Sequence, residues 1–289
     1  MHLPQNFAAK SGFPYLVDVK ISEFCPYNCN FCYQSSTKEG KHAEQYFLSS
    51  TLPEVLMNAG VLEVNFGGGE PTLYKGEGYG TLEYVLRAFK SKRFKVGITT
   101  KNYNWHKDKN FAAQIKLVDS VAISVNSLDE LKAAEKLEKA INADGRAPVY
   151  YQCVFELVSY EQFKEFIVAV AERHNRNITL LGYKDFGFGK NGQKYNYPNE
   201  WIGFIKEIHD KTRLNIGIDS VMVKNWREKL INFGIKDYYL VGTEGKSTCY
   251  VDAVKQKMYS SSFSDEEGLP MPSSIYDKKV DFLKNFATF

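Results

Sequence analysis

Residues 25–32 read Cys-Pro-Tyr-Asn-Cys-Asn-Phe-Cys, placing Cys25, Cys29 and Cys32 at C-x3-C-x2-C spacing. One short loop can wrap three thiolates at this spacing around a single metal centre. Three ligands from one loop suit a [4Fe–4S] cluster in which one iron lacks a protein thiolate. An iron with an open position can bind a small molecule, as catalytic zinc sites do by leaving one position free. The competing reading is a structural zinc knuckle or cysteines that merely pack. Zinc favours paired C-x-x-C or H-x3-5-H ligands, and the nearest further ligand, His42, has no paired partner.

The element before this loop must hold it in place. Leu16 to Ser22 alternates, with Val17, Val19 and Ile21 on one face and Asp18, Lys20 and Ser22 on the other. That period of two predicts a strand with one polar face. In a barrel the polar face points inward to a ligand and the apolar face outward to helices. The cysteine loop then sits at the carboxyl end of the strand, where active sites of parallel α/β folds lie. A helical stretch over 44–59, with Pro53 near its start and Gly60 as its stop, leads to a second strand, Val61–Phe66. This strand runs straight into Gly67-Gly68-Gly69-Glu70-Pro71-Thr72. By itself a glycine run is only a turn.

The cysteine loop with an aromatic before its third Cys (Phe31), followed one strand later by Gly68-Gly69-Glu70-Pro71, resembles the radical S-adenosylmethionine (radical SAM) enzymes. The resemblance implies one [4Fe–4S] cluster held by Cys25, Cys29 and Cys32, with S-adenosylmethionine on its open iron. Gly68, Gly69 and Glu70 would recognise the methionine amino group: glycines allow close backbone approach, and a carboxylate accepts hydrogen bonds from an ammonium. Phe31 and Tyr33 would line the adenine side. The implied fold is α/β, a partial (β/α)6 TIM-like barrel over residues 15–235. An N-terminal lead-in covers 1–14 and a small C-terminal β-hairpin extension with a tail covers 236–289.

The remaining stretches fill this plan. Helices are expected over 80–90, 105–116, 128–142, 160–175 and 199–212, with Gly145 as a stop. Strands are expected over 95–100, 120–127, 149–157, 178–183 and, short, 215–223. On the fourth strand Ser124 and Asn126 share a face opposite Val121, Ile123 and Val125, and in the resembling enzymes a polar residue here contacts the ribose. Ser124 is the candidate with Asn126 second; a solvent-facing serine is the alternative. On the fifth strand Gln152 faces inward as a cofactor or substrate contact, while Cys153 falls among Tyr151, Phe155 and Leu157 and packs as a small hydrophobe. Asp18, Lys20, Gln152 and Tyr183 are the candidates for substrate contact or catalysis. The Gly-spaced run Lys184–Lys190 lacks a P-loop pattern and is not a phosphate loop; the resembling enzymes carry such a loop near cofactor and substrate.

Past residue 236, strands are expected over 238–241, 248–254 and 257–263, with a turn near Lys255-Gln256. This resembles the start of the SPASM/twitch extension of peptide-modifying radical SAM enzymes, in which cysteines hold an auxiliary cluster. Cys249 matches the first such cysteine, but Ser260 to Ser262 stand where the next would fall, and no cysteine follows. No auxiliary cluster is therefore expected, and Cys249 reads as a buried thiol. Val280–Phe286 is a tail or a capping helix.

Composition sets the bounds. The chain has 289 residues, 44% hydrophobic, with 20 Phe and 19 Tyr, enough for a large single core. A net charge of +3 argues for neither a nucleic-acid nor a membrane surface. No apolar run approaches a membrane span, and the amino terminus lacks a signal pattern. Five cysteines with three in the loop do not make a disulfide framework, which fits a reducing cytoplasm. The expected substrate is a peptide or protein, with an electron donor such as flavodoxin or ferredoxin. Alternatives are modification of a nucleotide, nucleic acid or small metabolite, or a non-catalytic metal-binding module.

Overall fold

The structure is a computed structural model and describes residues 12–76, 80–240, 244–274, 276 and 280–289. Seven parallel strands follow one another across a single sheet: β1 (Leu16–Ser22), β2 (Glu63–Gly68), β3 (Lys95–Thr100), β4 (Ser120–Ser124), β5 (Val149–Val154), β6 (Asn177–Leu181) and β7 (Asn215–Ile218). On the free side of β1 the sheet continues with β8 (Thr248–Asp252), parallel to β1, then β9 (Lys257–Tyr259) and β10 (Leu269–Pro270), each antiparallel to the strand before it. The sheet is not closed, as a partial barrel requires. Residues 1–11 of the expected lead-in and Val241 of an expected strand lie outside the described residues.

The alternation in the strands does what the sequence implies. Val17, Val19, Val64, Phe66, Val96, Ile98, Val121, Ile123, Tyr151, Cys153, Ile178 and Leu180 form the outer face and are buried. They pack against α1 (Leu52–Asn58), α2 (Leu82–Ser91), α4 (Leu128–Asp144) and α5 (Tyr160–Ala171), with the short α3 (Phe111–Ile115) between. Three helix starts are capped by a hydroxyl. Thr81 and Ser127 accept from Tyr84 N and Glu130 N, and Ser159 and Gln162 form a reciprocal capping box. Gly145 ends α4 in the left-handed region at φ 73°.

Several boundaries differ from the sequence reading for identifiable reasons. The stretch expected as a strand over 215–223 stops at Ile218, because Asp219 Oδ1 accepts from Met222 N at 2.8 Å and starts helix α7 (Ser220–Asn232), after α6 (Trp201–Thr212). Val221, Met222, Val223, Trp226 and Leu230 are its buried side, a helical spacing rather than period two. The expected helix over 105–116 is broken into a 3-10 turn, Trp105–Lys107, and α3, with Asp108 and Asn110 between. The first helix begins as a wide π turn at Phe47–Thr51. Asp237–Tyr239 is a 3-10 turn, not a strand, and Phe282–Phe286 forms the short helix α8.

The hairpin is tied to the barrel by a buried ion cluster. Lys20 Nζ lies 2.9 Å from Glu23 Oε1 and 3.0 Å from Asp252 Oδ2, with Lys20 and Asp252 5% and 3% exposed. Burial alone pushes the Lys20 ammonium down, but Asp252 and Glu23 outweigh it and the net shift is upward. Asp252 Oδ1 also accepts from Val254 N and Lys255 N, closing the turn between β8 and β9. Removing one partner of a buried pair leaves an uncompensated charge. Asp252→Asn is therefore expected to lower stability by about 3 kcal/mol in urea unfolding, with the loss concentrated in the midpoint.

Candidate active site

The cysteine loop leaves β1 and is held on three sides. Its returning strand pairs with its outgoing one through Cys25 N to Thr37 O (2.8 Å), Thr37 N to Glu23 O (3.2 Å) and Glu23 N to Lys41 O (2.7 Å). From the β2 side, Gly69 N donates to Ser22 O (2.6 Å) and Glu70 N to Phe24 O (2.8 Å). From the loop after β6, Phe188 N donates to Cys32 O at 2.9 Å. His42 backs the loop, with Nδ1 2.9 Å from Ser22 Oγ and its ring against Phe24 and Tyr74.

Cys25, Cys29 and Cys32 are free and half-buried, whereas Cys153 and Cys249 are buried in the core. Burial pushes the Cys25 thiol up to about 11 and raises Cys29, with Lys101 pulling Cys29 the other way. Burial drives Cys153 up to about 12 and Cys249 well upward, the behaviour of inert packed thiols. A cubane carries its thiolates on different irons, so its ligands need not converge on one point. Among the described residues no three His, Cys, Asp or Glu side chains converge on a single ion. Three half-exposed thiols on one clamped loop fit a site-differentiated cluster by donor set.

The glycines after β2 are required by close approach. Gly68 has φ 115°, and a Cβ there would lie 2.5 Å from Ser22 O and 2.8 Å from Lys20 Cγ. At Gly69 it would lie 2.2 Å from Phe24 O. At Gly67, on the inner face beside Lys20, a Cβ would meet nothing within 4 Å.

Glu70 is 1% exposed and does not present a free carboxylate. Its Oε1 accepts from Thr72 N (3.1 Å), Thr72 Oγ1 (2.7 Å) and Thr100 Oγ1 (2.7 Å), and its Oε2 from Lys101 N (2.9 Å). Burial raises its pKa while these bonds pull it back. The carboxylate thus ties the glycine run to the end of β3. A ligand ammonium would find there one remaining lone pair on Oε2 and the backbone that Glu70 holds in place.

The other expected contacts divide. Ser124 and Gln152 are in register on the inner face, half-buried, and continue in register to Thr179. Asn126 is 6% exposed and committed: its Oδ1 accepts from Val154 N (2.8 Å) and its Nδ2 donates to Glu130 Oε2 (3.3 Å). Asp18 faces inward, with Asn65 Nδ2 3.3 Å from its Oδ1. Two of the substrate-contact candidates have their polar ends engaged by protein. Lys20 is locked in the buried ion cluster, and the Tyr183 hydroxyl donates to Gly189 O at 2.9 Å, bracing the loop after β6. Phe31 lies under the Lys101 ammonium, 5.7 Å from ring centroid to Nζ. Tyr33 turns the other way, beneath Lys184 at 4.4 Å, and Lys184 also lies 4.7 Å from the Phe263 ring.

Sequence reasoning gave no role to Lys101 or Glu130, and named Lys184 only as part of the Gly-spaced run after β6. Only Glu130 carried a readable signal, as the third helical residue after the cap Ser127; its Oε2 instead accepts from Asn126 N at 2.7 Å. Gly68→Ala is expected to destabilise the protein by about 1–3 kcal/mol, read by thermal unfolding. Gly67→Ala should stay within about 0.5 kcal/mol.

Comparison with known proteins agrees with this geometry. The family model of the radical SAM superfamily matches residues 19–167. GTP 3',8-cyclase of Actinobacillus pleuropneumoniae serotype 3 (strain JL03) is 30% identical over 115 residues, covering 38% of this chain and 32% of that protein. The probable GTP 3',8-cyclase of Sulfurisphaera tokodaii is 28% identical over 216 residues, covering 68% of this chain and 65% of that protein. The matched region thus spans from about a third to just under two thirds of these relatives' length. Among solved structures, Streptococcus suis SuiB bound to precursor peptide SuiA shares the fold with a TM-score of 0.69 at 16% identity, over 96% of this chain and 65% of that one. Native anSMEcpe with bound AdoMet does so with a TM-score of 0.58 at 15% identity, over 94% of this chain and 80% of that one. With the cysteine loop, the glycine run and the family match all falling on β1 to α5, the chain belongs to the radical SAM superfamily.

Proposed function

We propose that this protein cleaves S-adenosylmethionine reductively at a single [4Fe–4S] cluster held by Cys25, Cys29 and Cys32, and uses the outcome to abstract hydrogen from a peptide or protein substrate. The observation that carries the reading is the set of three free, half-buried thiols on a loop clamped by the backbone of Gly69 and Glu70. When bound, the cluster and S-adenosylmethionine supply a 5'-deoxyadenosyl radical, the hard chemistry that side chains alone cannot reach. The chain's own part is positional. Gly68 and Gly69 let the β2 end approach the cysteine loop, Glu70 fixes that end to β3, and Ser124 and Gln152 offer polar contacts to the cofactor on the inner face. Phe31 supplies an apolar wall at the loop.

Two observations support a peptide substrate: the β8–β9 hairpin beside β1, and the likeness over nearly the whole chain to SuiB, whose structure holds a precursor peptide. Cys249 is buried on the outer face opposite Val17, and Ser260 to Ser262 stand where a further auxiliary ligand would fall, which supports a single cluster. A reducing cytoplasm and a flavodoxin- or ferredoxin-type donor suit such a centre; among the described residues no helix is long and apolar enough to cross a membrane. A second reading, a nucleotide substrate, is favoured by the two relatives named as GTP 3',8-cyclases.

The test is anaerobic. Reconstituted protein should hold about four irons per chain and form 5'-deoxyadenosine from S-adenosylmethionine after reduction. Cys29→Ala should lose both cluster absorbance and cleavage; retained cleavage would sink the ligand assignment. Consumption of GTP with deuterium transfer from labelled nucleotide would replace the peptide reading with the nucleotide one.

A further inference from the structure

The cysteine loop faces one ion pair that neither the motif nor the glycine run includes. Lys101 follows directly on β3, and its backbone N–H is fixed by Glu70 Oε2 at 2.9 Å. Its side chain, 19% exposed, reaches back over the Phe31 ring, and its ammonium pairs with Glu130 at the start of α4. Glu130 is anchored from behind, because its Oε2 accepts from Asn126 N at 2.7 Å and from Asn126 Nδ2 at 3.3 Å. Asn126 is itself held by Val154 N at 2.8 Å. The pair is therefore a fixed dipole, its anionic end tied to the β4 and β5 ends and its cationic end over the residue preceding Cys32. Three other lysines lie near the barrel mouth in different settings. Lys20 is neutralised by Glu23 and Asp252, Lys184 stands between Tyr33 and Phe263, and Lys190 lies near Phe186.

We propose that Lys101, oriented by Glu130, is a positioning residue for electron entry: its charge over the cysteine loop raises the reduction potential of the cluster that Cys25, Cys29 and Cys32 hold. The inference rests on the cluster assignment above. Reduction adds one electron, supplied by an external reductant, to a centre already ringed by thiolates. A nearby cation favours that added negative charge, and a nearby anion opposes it. The site is half-buried, so salt screens the effect only in part. The Lys101 ammonium is bonded to Glu130, which leaves it a through-space influence on the cluster and not a ligand.

The experiment is a redox titration of the reconstituted full chain without S-adenosylmethionine, followed by the electron paramagnetic resonance signal of the reduced cluster. Iron and sulfide content are measured first. Lys101→Gln is expected to lower the reduction equilibrium constant about tenfold, ~59 mV for one electron. Lys101→Arg should restore most of the shift. Glu130→Gln keeps the lysine and removes the anion, and should move the potential upward by a smaller amount. The two charge removals thus shift the same quantity in opposite directions, which a merely structural pair would not do. Should Lys101→Gln fail to load iron, the sign of the Glu130→Gln shift decides. An unchanged potential in cluster-loaded Lys101→Gln would overturn the proposal, as would equal downward shifts in both variants. So would an effect seen only after S-adenosylmethionine is added, which would make Lys101 a ligand for that molecule. Absence of a cluster from the unaltered protein would instead defeat the cluster assignment, and this inference with it.

Discussion

The structure depends on a buried carboxylate. Glu70 accepts four hydrogen bonds from two stretches of chain: its own turn, and the last residue of β3 with the backbone just beyond it. A buried carboxylate without donors would be very costly; with these donors it becomes a fixed joint between β2 and β3. Through that joint the backbone of Gly69 and Glu70 is presented to Ser22 O and Phe24 O, and this sets the height at which the cysteine loop leaves β1. The glycines are a consequence. With the strand ends this close, a Cβ at Gly68 or Gly69 would overlap the backbone of β1 or of the cysteine loop just beyond it.

A second buried charge extends the same logic to the carboxyl-terminal hairpin. Lys20 lies on the inner face of β1, beneath Gly68, and its ammonium is shared between Glu23 at the root of the cysteine loop and Asp252 in the hairpin turn. Cluster loop, glycine run and extension therefore meet around one strand. The hairpin is continuous with the barrel sheet, since β8 pairs with β1 in parallel. Higher in the mouth, Lys184 joins the loop after β6 to Tyr33 and to Phe263, so the cysteine loop touches the extension's side of the barrel at both its root and its far end.

The mouth of the barrel thus contains two classes of polar residue. Glu70, Asn126, Lys20 and Tyr183 are buried or committed to holding strand ends and loops. Ser124, Gln152 and Asp18 point from the inner face and keep access to whatever enters. Most polar atoms at the strand ends are thus bonded to protein, which leaves Ser124, Gln152 and Asp18 as inward groups that a ligand could meet.

Much of this was legible in the amino-acid order. The period-two alternation from Val17 to Ile21 separates the buried Val17, Val19 and Ile21 from the inward Asp18 and Lys20, because side-chain direction in a strand is local geometry. The Cys25, Cys29 and Cys32 spacing and the glycine run after β2 identified the family, because ligand reach and close backbone approach are also local. Cys153 was correctly assigned to packing from its neighbours Tyr151 and Phe155. Local pattern could not decide which partner a polar residue meets. Lys20 and Asp252 are 232 positions apart, and Lys101 meets Glu130 only because α4 begins beside the end of β3. Chain order sufficed for strand faces, candidate ligands and the class of chemistry. Packing in three dimensions selected which inward polar groups are bonded away and which remain for a ligand, since hydrogen-bond and ion-pair partners are chosen by proximity in the fold and leave no periodic trace in the chain.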